Sequence, residues 1–213
     1  MEVERRIRRT RSDNKVRTRD GLIAAAREVF LERGFHPATL DEIAERAGYT
    51  KGAVYSNFAG KDDLFLAMLG EHYVRRAAVY EELALESDDI EETYRAVAKI
   101  MFEAYQLEPA WWPLVSDFSS HASRDPELRQ RLHQLREGFI DAVAATIEAL
   151  AEQHETTFLL PAREIARGSG ALMRGMTVEW SIDPAPADVA VFQEMHAAYL
   201  RGLAVPQHER STR

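Results

Sequence analysis

Apolar residues recur every three or four positions along nearly the whole chain, and this most narrows the folds open to it. The clearest run is Leu128, Leu132, Leu135, Phe139, Val143, Ile147 and Leu150, a stripe down one side of a helix. No segment alternates with period two for long enough to read as a strand. Glycine and proline cut the pattern into nine pieces, so the spacing predicts an all-α chain of about nine helices. The first runs from about Lys15 to Arg33, with Leu22, Ile23, Ala26, Val29 and Phe30 on one face and Gly34 in the terminating position. Thr39 opens the second, with Glu42 three residues on in the reciprocal capping pattern, and Gly48 stops it. Thr50 caps a third, Lys51 to about Phe58, and Gly60 breaks it. Asp62 and Asp63 then occupy the first turn of a long fourth helix, about 61–85.

Ser87 is expected to cap the fifth helix, and Trp111-Trp112-Pro113 to begin an irregular sixth. The seventh follows Pro126. The eighth runs from Pro161 to about Ile182, and Pro184 and Pro186 separate it from a ninth, Asp188 to Leu203. Residues 1–14 read as a disordered basic arm and 204–213 as a polar tail. The expected domains are 15–62 and 87–203, joined by the fourth helix.

Several functions are excluded early. There are no cysteines, so disulfides, thiolate metal sites and cysteine nucleophiles are out of reach. The seven histidines show no i,i+4 metal pair, and H-E-x-x-H, Walker and G-x-S-x-G patterns are missing. No enzyme, metal or cofactor is expected. No apolar run reaches the roughly 18 residues a membrane helix needs, so no membrane partner is expected and the cytoplasm is the expected location. The net charge of −8 hides an asymmetry: residues 1–61 carry 13 Lys/Arg against 9 Asp/Glu, a net of +4, leaving −12 for the remainder. One end is suited to meet a polyanion.

Residues 39–61, TLDEIAERAGYTKGAVYSNFAGK, carry the most information. A capped helix, a glycine-centred turn and a second short helix within about twenty residues is the helix-turn-helix layout. Ile43, Ala44 and Ala47 supply the buried side of the first helix, and Val54 and Phe58 that of the second. The opposite face carries Lys51, Ala53, Tyr55, Ser56 and Asn57, small or polar side chains that let backbone approach a groove closely. Gly52 costs about 1 kcal/mol in a helix relative to alanine, and close approach to DNA is a reason to keep it.

The stretch Gly21–Leu69, including AAREVFLERGFHPATLDEIAERAGYTKGAVYSNFAGKDDLF, resembles the DNA-binding domain of TetR-type transcriptional regulators. The resemblance covers about a quarter of the chain; beyond it, only length and helical character match. It implies that Lys51, Gly52, Ala53 and Ser56 face base edges, with Thr50 capping the recognition helix. Thr39, Tyr55, Asn57 and Lys61 would contact phosphates, which position without reading sequence. Lys51 is the candidate for guanine, whose O6 and N7 accept from a cation. The arginines and lysine from Arg5 to Arg19 would enter the minor groove or attract DNA non-specifically. Two departures stand out. Gly60 replaces a common serine cap, and Tyr49 a smaller aliphatic, altering the turn packing or reaching a phosphate.

By the same resemblance, 87–203 would bind an effector and dimerise. Met101, Phe102, Tyr105, Trp111, Trp112, Phe118, His121, Phe139, Met173, Met176 and Trp180 suit either an adaptable apolar pocket or plain core. Glu179 either favours a cationic ligand or is simply solvated. The last two helices are apolar on more than one side, which suits a homodimer with Val191, Met195 and Tyr199 at the interface. The expected function is a ligand-responsive repressor, binding a palindromic double-stranded operator as a homodimer. A small, largely apolar effector with one polar group at His121 or Glu179 would release it. The alternative is an architectural DNA-binding dimer without an effector, distinguished by a fully packed second domain.

Overall fold

The structure, a computed structural model, describes residues 11–183 and 188–206. Among these, the chain forms nine helices and one short ribbon: α1 (Arg11–Arg33), α2 (Leu40–Arg46), α3 (Lys51–Asn57), α4 (Lys61–Glu86), α5 (Ile90–Leu107), α6 (Trp111–Ala122), α7 (Pro126–Gln153), β1 (Thr156–Phe158), α8 (Ala162–Ile182), α9 (Val189–Leu203) and β2 (Ala204–Pro206). Three details differ from the sequence reading. Residues 11–14, expected to be disordered, are the first turn of α1. Asp89 rather than Ser87 caps α5, its carboxylate accepting from the Glu91 N–H at 2.9 Å. Part of the expected polar tail is β2, which pairs antiparallel with β1 from Thr156↔Pro206 to Phe158↔Ala204. Strands of three residues are too short to show alternation, so only long-range pairing could reveal them. The rest of the basic arm, Pro184, Pro186 and residues 207–213 lie outside the described residues.

The chain divides into two units between Glu71 and His72, inside α4. Helix α4 therefore contributes to both, where the sequence reading set it apart as a connector. The first unit is built on the predicted stripe of α1: Leu22, Ala26, Val29 and Phe30 are fully buried. The rings of Phe30, Phe35 and Phe65 meet with centroids 5.2–5.8 Å apart, Phe65 standing edge-on to the other two as aromatic quadrupoles favour. Ile43 and Ala44 from α2, Val54 from α3 and Phe58 just past its end close this core.

In the second unit α5 lies along α9, and α7 along α8. One cluster gathers Tyr94, Leu150, Ile165 and Leu200; another gathers Phe102, Met173, Trp180 and Phe192. Helices α8 and α9 meet at Gly168, where any side chain would collide with the Tyr199 hydroxyl. The stripe of α7 splits in two. Leu128, Leu132 and Leu150 are buried, whereas Leu135, Phe139, Val143 and Ile147 are only half-buried.

Candidate nucleic-acid interface and ligand cavity

The turn between α2 and α3 is set by Gly48, whose φ of +70° few side chains tolerate. The Thr39 hydroxyl accepts from the Glu42 N–H at 3.2 Å, and that of Thr50 from the Ala53 N–H at 3.3 Å, so both helices begin on a side-chain cap. The expected reciprocal bond from Glu42 is not made. Its carboxylate accepts instead from Arg33 Nε at 3.1 Å, tying α2 to α1. Arg46 does the same through Glu32 at 2.9 Å. Tyr49 packs its ring over Gly21 of α1, so the departure at this position serves the packing of the turn.

Helix α3 turns Val54 inward and leaves Lys51, Gly52, Tyr55 and Ser56 exposed, with Ala53 and Asn57 half-buried. The hydroxyl of Ser56 and the amide of Asn57 both donate to the Ala53 carbonyl, at 2.9 and 2.8 Å. Asn57 Oδ1 is left buried without a partner. Lys51 Nζ sits 2.8 Å from the Asp41 carboxylate, a bond that raises its pKa above the ordinary lysine value. Lys61, expected on a phosphate, donates within the chain to the carbonyls of Phe35, His36 and Ala38 at 2.9–3.1 Å and lies over the Phe35 ring. Burial draws its pKa below the ordinary value. The three donors of this ammonium are used in holding the loop before α2.

The second unit contains a cavity of about 660 Å³, within the usual range of small-molecule sites. Met101, Trp111, Trp112, Phe139 and Met173, all singled out from the sequence, line it. The other seven expected there, Phe102 among them, do not. Phe118 and Trp180 are core, and Tyr105 and Met176 pack against the cluster containing Trp180. Glu179 is exposed, and His121 is partly so, its ring 6.1 Å from Phe118. On α8 the stretch from Ala166 to Arg174 meets the void, while Trp180, two turns beyond Met173 on the same side, meets Phe102 at 5.1 Å.

The sequence reading missed the polar part of the wall. His72 stacks on Trp111 at 4.0 Å and Tyr73 on Phe139 at 4.6 Å. Arg76, Arg136 and Arg174 also line the cavity, as do Tyr80 and the buried His196. A signal was present: Arg76 lies three residues after Tyr73 and four before Tyr80, and Arg136 three before Phe139. Each cation thus shares a helix face with the aromatics.

Comparison with known proteins agrees with both halves. A family model described as bacterial regulatory proteins of the tetR family matches residues 22–68, and one described as the C-terminal part of BetI-type transcriptional repressors matches 90–205. The transcriptional activator FasR of Mycolicibacterium smegmatis is 29% identical over 172 residues, covering 80% of this chain and 75% of FasR. The repressor BepR of Brucella suis is 45% identical over 64 residues, 30% of each chain. Among solved structures, a transcriptional regulator FadR from Bacillus subtilis in complex with stearoyl-CoA aligns with a TM-score of 0.69 at 20% identity, over 86% of this chain and 98% of that one. A putative TetR-family regulator from Mesorhizobium loti aligns at 0.72 and 20% identity, over 91% and 96%. Among the described residues no helix is long and apolar enough to cross a membrane. The chain belongs to the TetR family of DNA-binding transcriptional regulators, which are not enzymes.

Proposed function

We propose that this regulator is a repressor that binds a palindromic operator as a homodimer and is released when a small effector occupies the cavity of the second unit. The cavity carries the reading: a purely architectural DNA-binding dimer has no use for about 660 Å³ of aromatic-walled space. Helix α4 runs unbroken from Lys61 into the cavity-lining residues His72, Tyr73, Arg76 and Tyr80. A ligand that favours an α4 position mismatched to the operator half-site spacing weakens DNA binding, and by linkage DNA weakens ligand binding by the same factor.

At the DNA, Lys51, Gly52, Ala53 and Ser56 read base edges and Thr50 caps the reading helix. Thr39, Tyr55 and Asn57 hold phosphates, and Lys61 holds the loop in place. Lys51→Ala should weaken operator binding by about 1–3 kcal/mol while leaving random-sequence DNA less affected. Unchanged operator affinity in a fluorescence-anisotropy titration would move the reading face elsewhere. Gly52→Ala separates fold from function. A Cβ there meets nothing closer than the Thr50 hydroxyl at 3.7 Å, so the variant should fold with up to about 1 kcal/mol of added stability. It should nevertheless bind the operator more weakly, because the methyl group occupies space kept for DNA. Undiminished binding would show that the glycine is not needed at the groove.

Homodimerisation is supported by Val178 and Ile182 on α8 and Val191 and Met195 on α9, large apolar side chains left exposed in the single chain. Tyr199, expected beside them, is turned into its own chain and donates to the Ile165 carbonyl at 3.3 Å. Sedimentation should give about twice the 24.2 kDa chain mass. Val191→Glu with Met195→Glu should return the monomer and abolish tight operator binding together. A wild-type monomer that binds a palindrome tightly would contradict the dimer.

A further inference from the structure

The charges on the cavity wall are unbalanced. Arg76, Arg136, Arg167 and Arg174 line it against a single carboxylate, Glu108. Arg167 is already engaged, with the Glu137 carboxylate 2.6 Å away. Arg136 and Arg174 have no ion-pair partner among the described residues, although they sit on neighbouring helices α7 and α8, close enough for the Arg136 charge to act on Arg174. Burial first, and then the nearby Arg136, pull the Arg174 guanidinium below the usual arginine range, yet arginine stays protonated in any ordinary buffer. Both positive charges also act on the Tyr73 hydroxyl from α4. Gly170 leaves room for the Arg174 side chain, since a Cβ there would stand 3.1 Å from one of its terminal nitrogens. Both side chains keep solvent contact at the mouth of the wall, and two like charges this close repel each other until an anion arrives between them.

We propose that Arg136 and Arg174, with the Tyr73 hydroxyl, clasp the oxyanion head group of an amphipathic effector, a carboxylate or a phosphate. The hydrocarbon body of that effector lies along Met101, Phe139, Val143, Ile147, Met173 and Phe158, the apolar part of the same wall. The assignment rests on the cavity being the effector site and adds the charge of the ligand. It replaces the polar contact expected at His121 or Glu179, neither of which lines the cavity. Two guanidinium forks and a phenol present several N–H and O–H donors to one anionic centre, the arrangement that favours charge-assisted, bidentate binding.

The test uses four probes with one tail and different heads: dodecanoate, dodecyl phosphate, dodecanol and dodecyltrimethylammonium, each below its micelle concentration. Tryptophan fluorescence of the full chain reads binding, because Trp111 and Trp112 line the cavity. At least one anion should bind about tenfold or more tightly than the alcohol, and the tighter of the two names the head group. The cation should bind most weakly. Arg136→Gln with Arg174→Gln should erase the anion preference while leaving dodecanol affinity unchanged, and Arg136→Lys with Arg174→Lys should restore much of it. If the double glutamine variant fails to fold by circular dichroism, Arg174→Gln alone should still reduce the preference. Alcohol or cation binding as tight as either anion overturns the head-group assignment and leaves the effector site standing, as does a preference that survives the glutamine variants. Silence from all four probes overturns both.

Discussion

A Phe65→Ala variant should lose about 3–5 kcal/mol of stability in the first unit, with operator binding lost alongside. Phe65 is fully buried and its ring meets Phe30 and Phe35 at 5.2 and 5.3 Å. Truncation leaves a cavity and strands two aromatic neighbours, whose mutual contacts add about 0.5–1.5 kcal/mol per pair beyond burial. The unit is small, so this loss is a large share of what holds it together. Phe65 lies away from the exposed face of α3, so any loss of binding acts through folding. Phe65→Leu, which keeps most of the volume, should retain more of both properties. Urea denaturation followed by circular dichroism measures the difference, and a Phe65→Ala protein with wild-type stability would contradict this account of the core.

Acid should weaken the second unit through His196. This side chain is 1% exposed, with Nε2 placed 3.2 Å from the Ser169 hydroxyl. Burial pushes its pKa down to about 4. The Tyr94 backbone acts the other way without cancelling it, and Nδ1 makes no hydrogen bond of ordinary geometry. Because the folded value lies below the unfolded one, the unfolded chain takes up the proton first as pH falls. The stabilisation is complete above pH ~6.5, declines as pH falls towards 4, and is gone below it, a loss on the order of 3 kcal/mol. His196→Gln, neutral throughout, should flatten that part of the profile. The comparison of urea midpoints at pH 7.5 and 4.5 must be made between the two proteins, since exposed carboxylates titrate in both. Identical pH dependence would remove His196 as the cause.

The reading head was legible in the sequence because its determinants are local. Thr39 and Thr50 cap helices within three residues of themselves, Gly48 is needed at a left-handed turn, and the spacing of Val54 and Phe58 already sorts the inner face of α3 from the outer. The pairings across that face were not legible. Lys51 and Lys61 look alike as lysines near a helix start, yet one meets a carboxylate at the surface and the other three backbone carbonyls. Which acceptor each ammonium finds depends on how α1, α2 and α4 are brought together, and that information is non-local.

The second unit divides along the same line. The three- and four-residue spacing by itself determined that the chain is helical, where nearly every helix starts and stops, and which side of each is apolar. Periodicity records only that a face is shielded from water. Packing decided whether it is shielded by neighbouring side chains or borders a void. Leu132 and Phe139 therefore belong to one stripe in sequence but to core and cavity wall in the fold. The ribbon of β1 and β2 and the gathering of Arg136 and Arg174 were decided the same way. Each depends on contacts between residues far apart along the chain, whose energy exists only once the helices are in place.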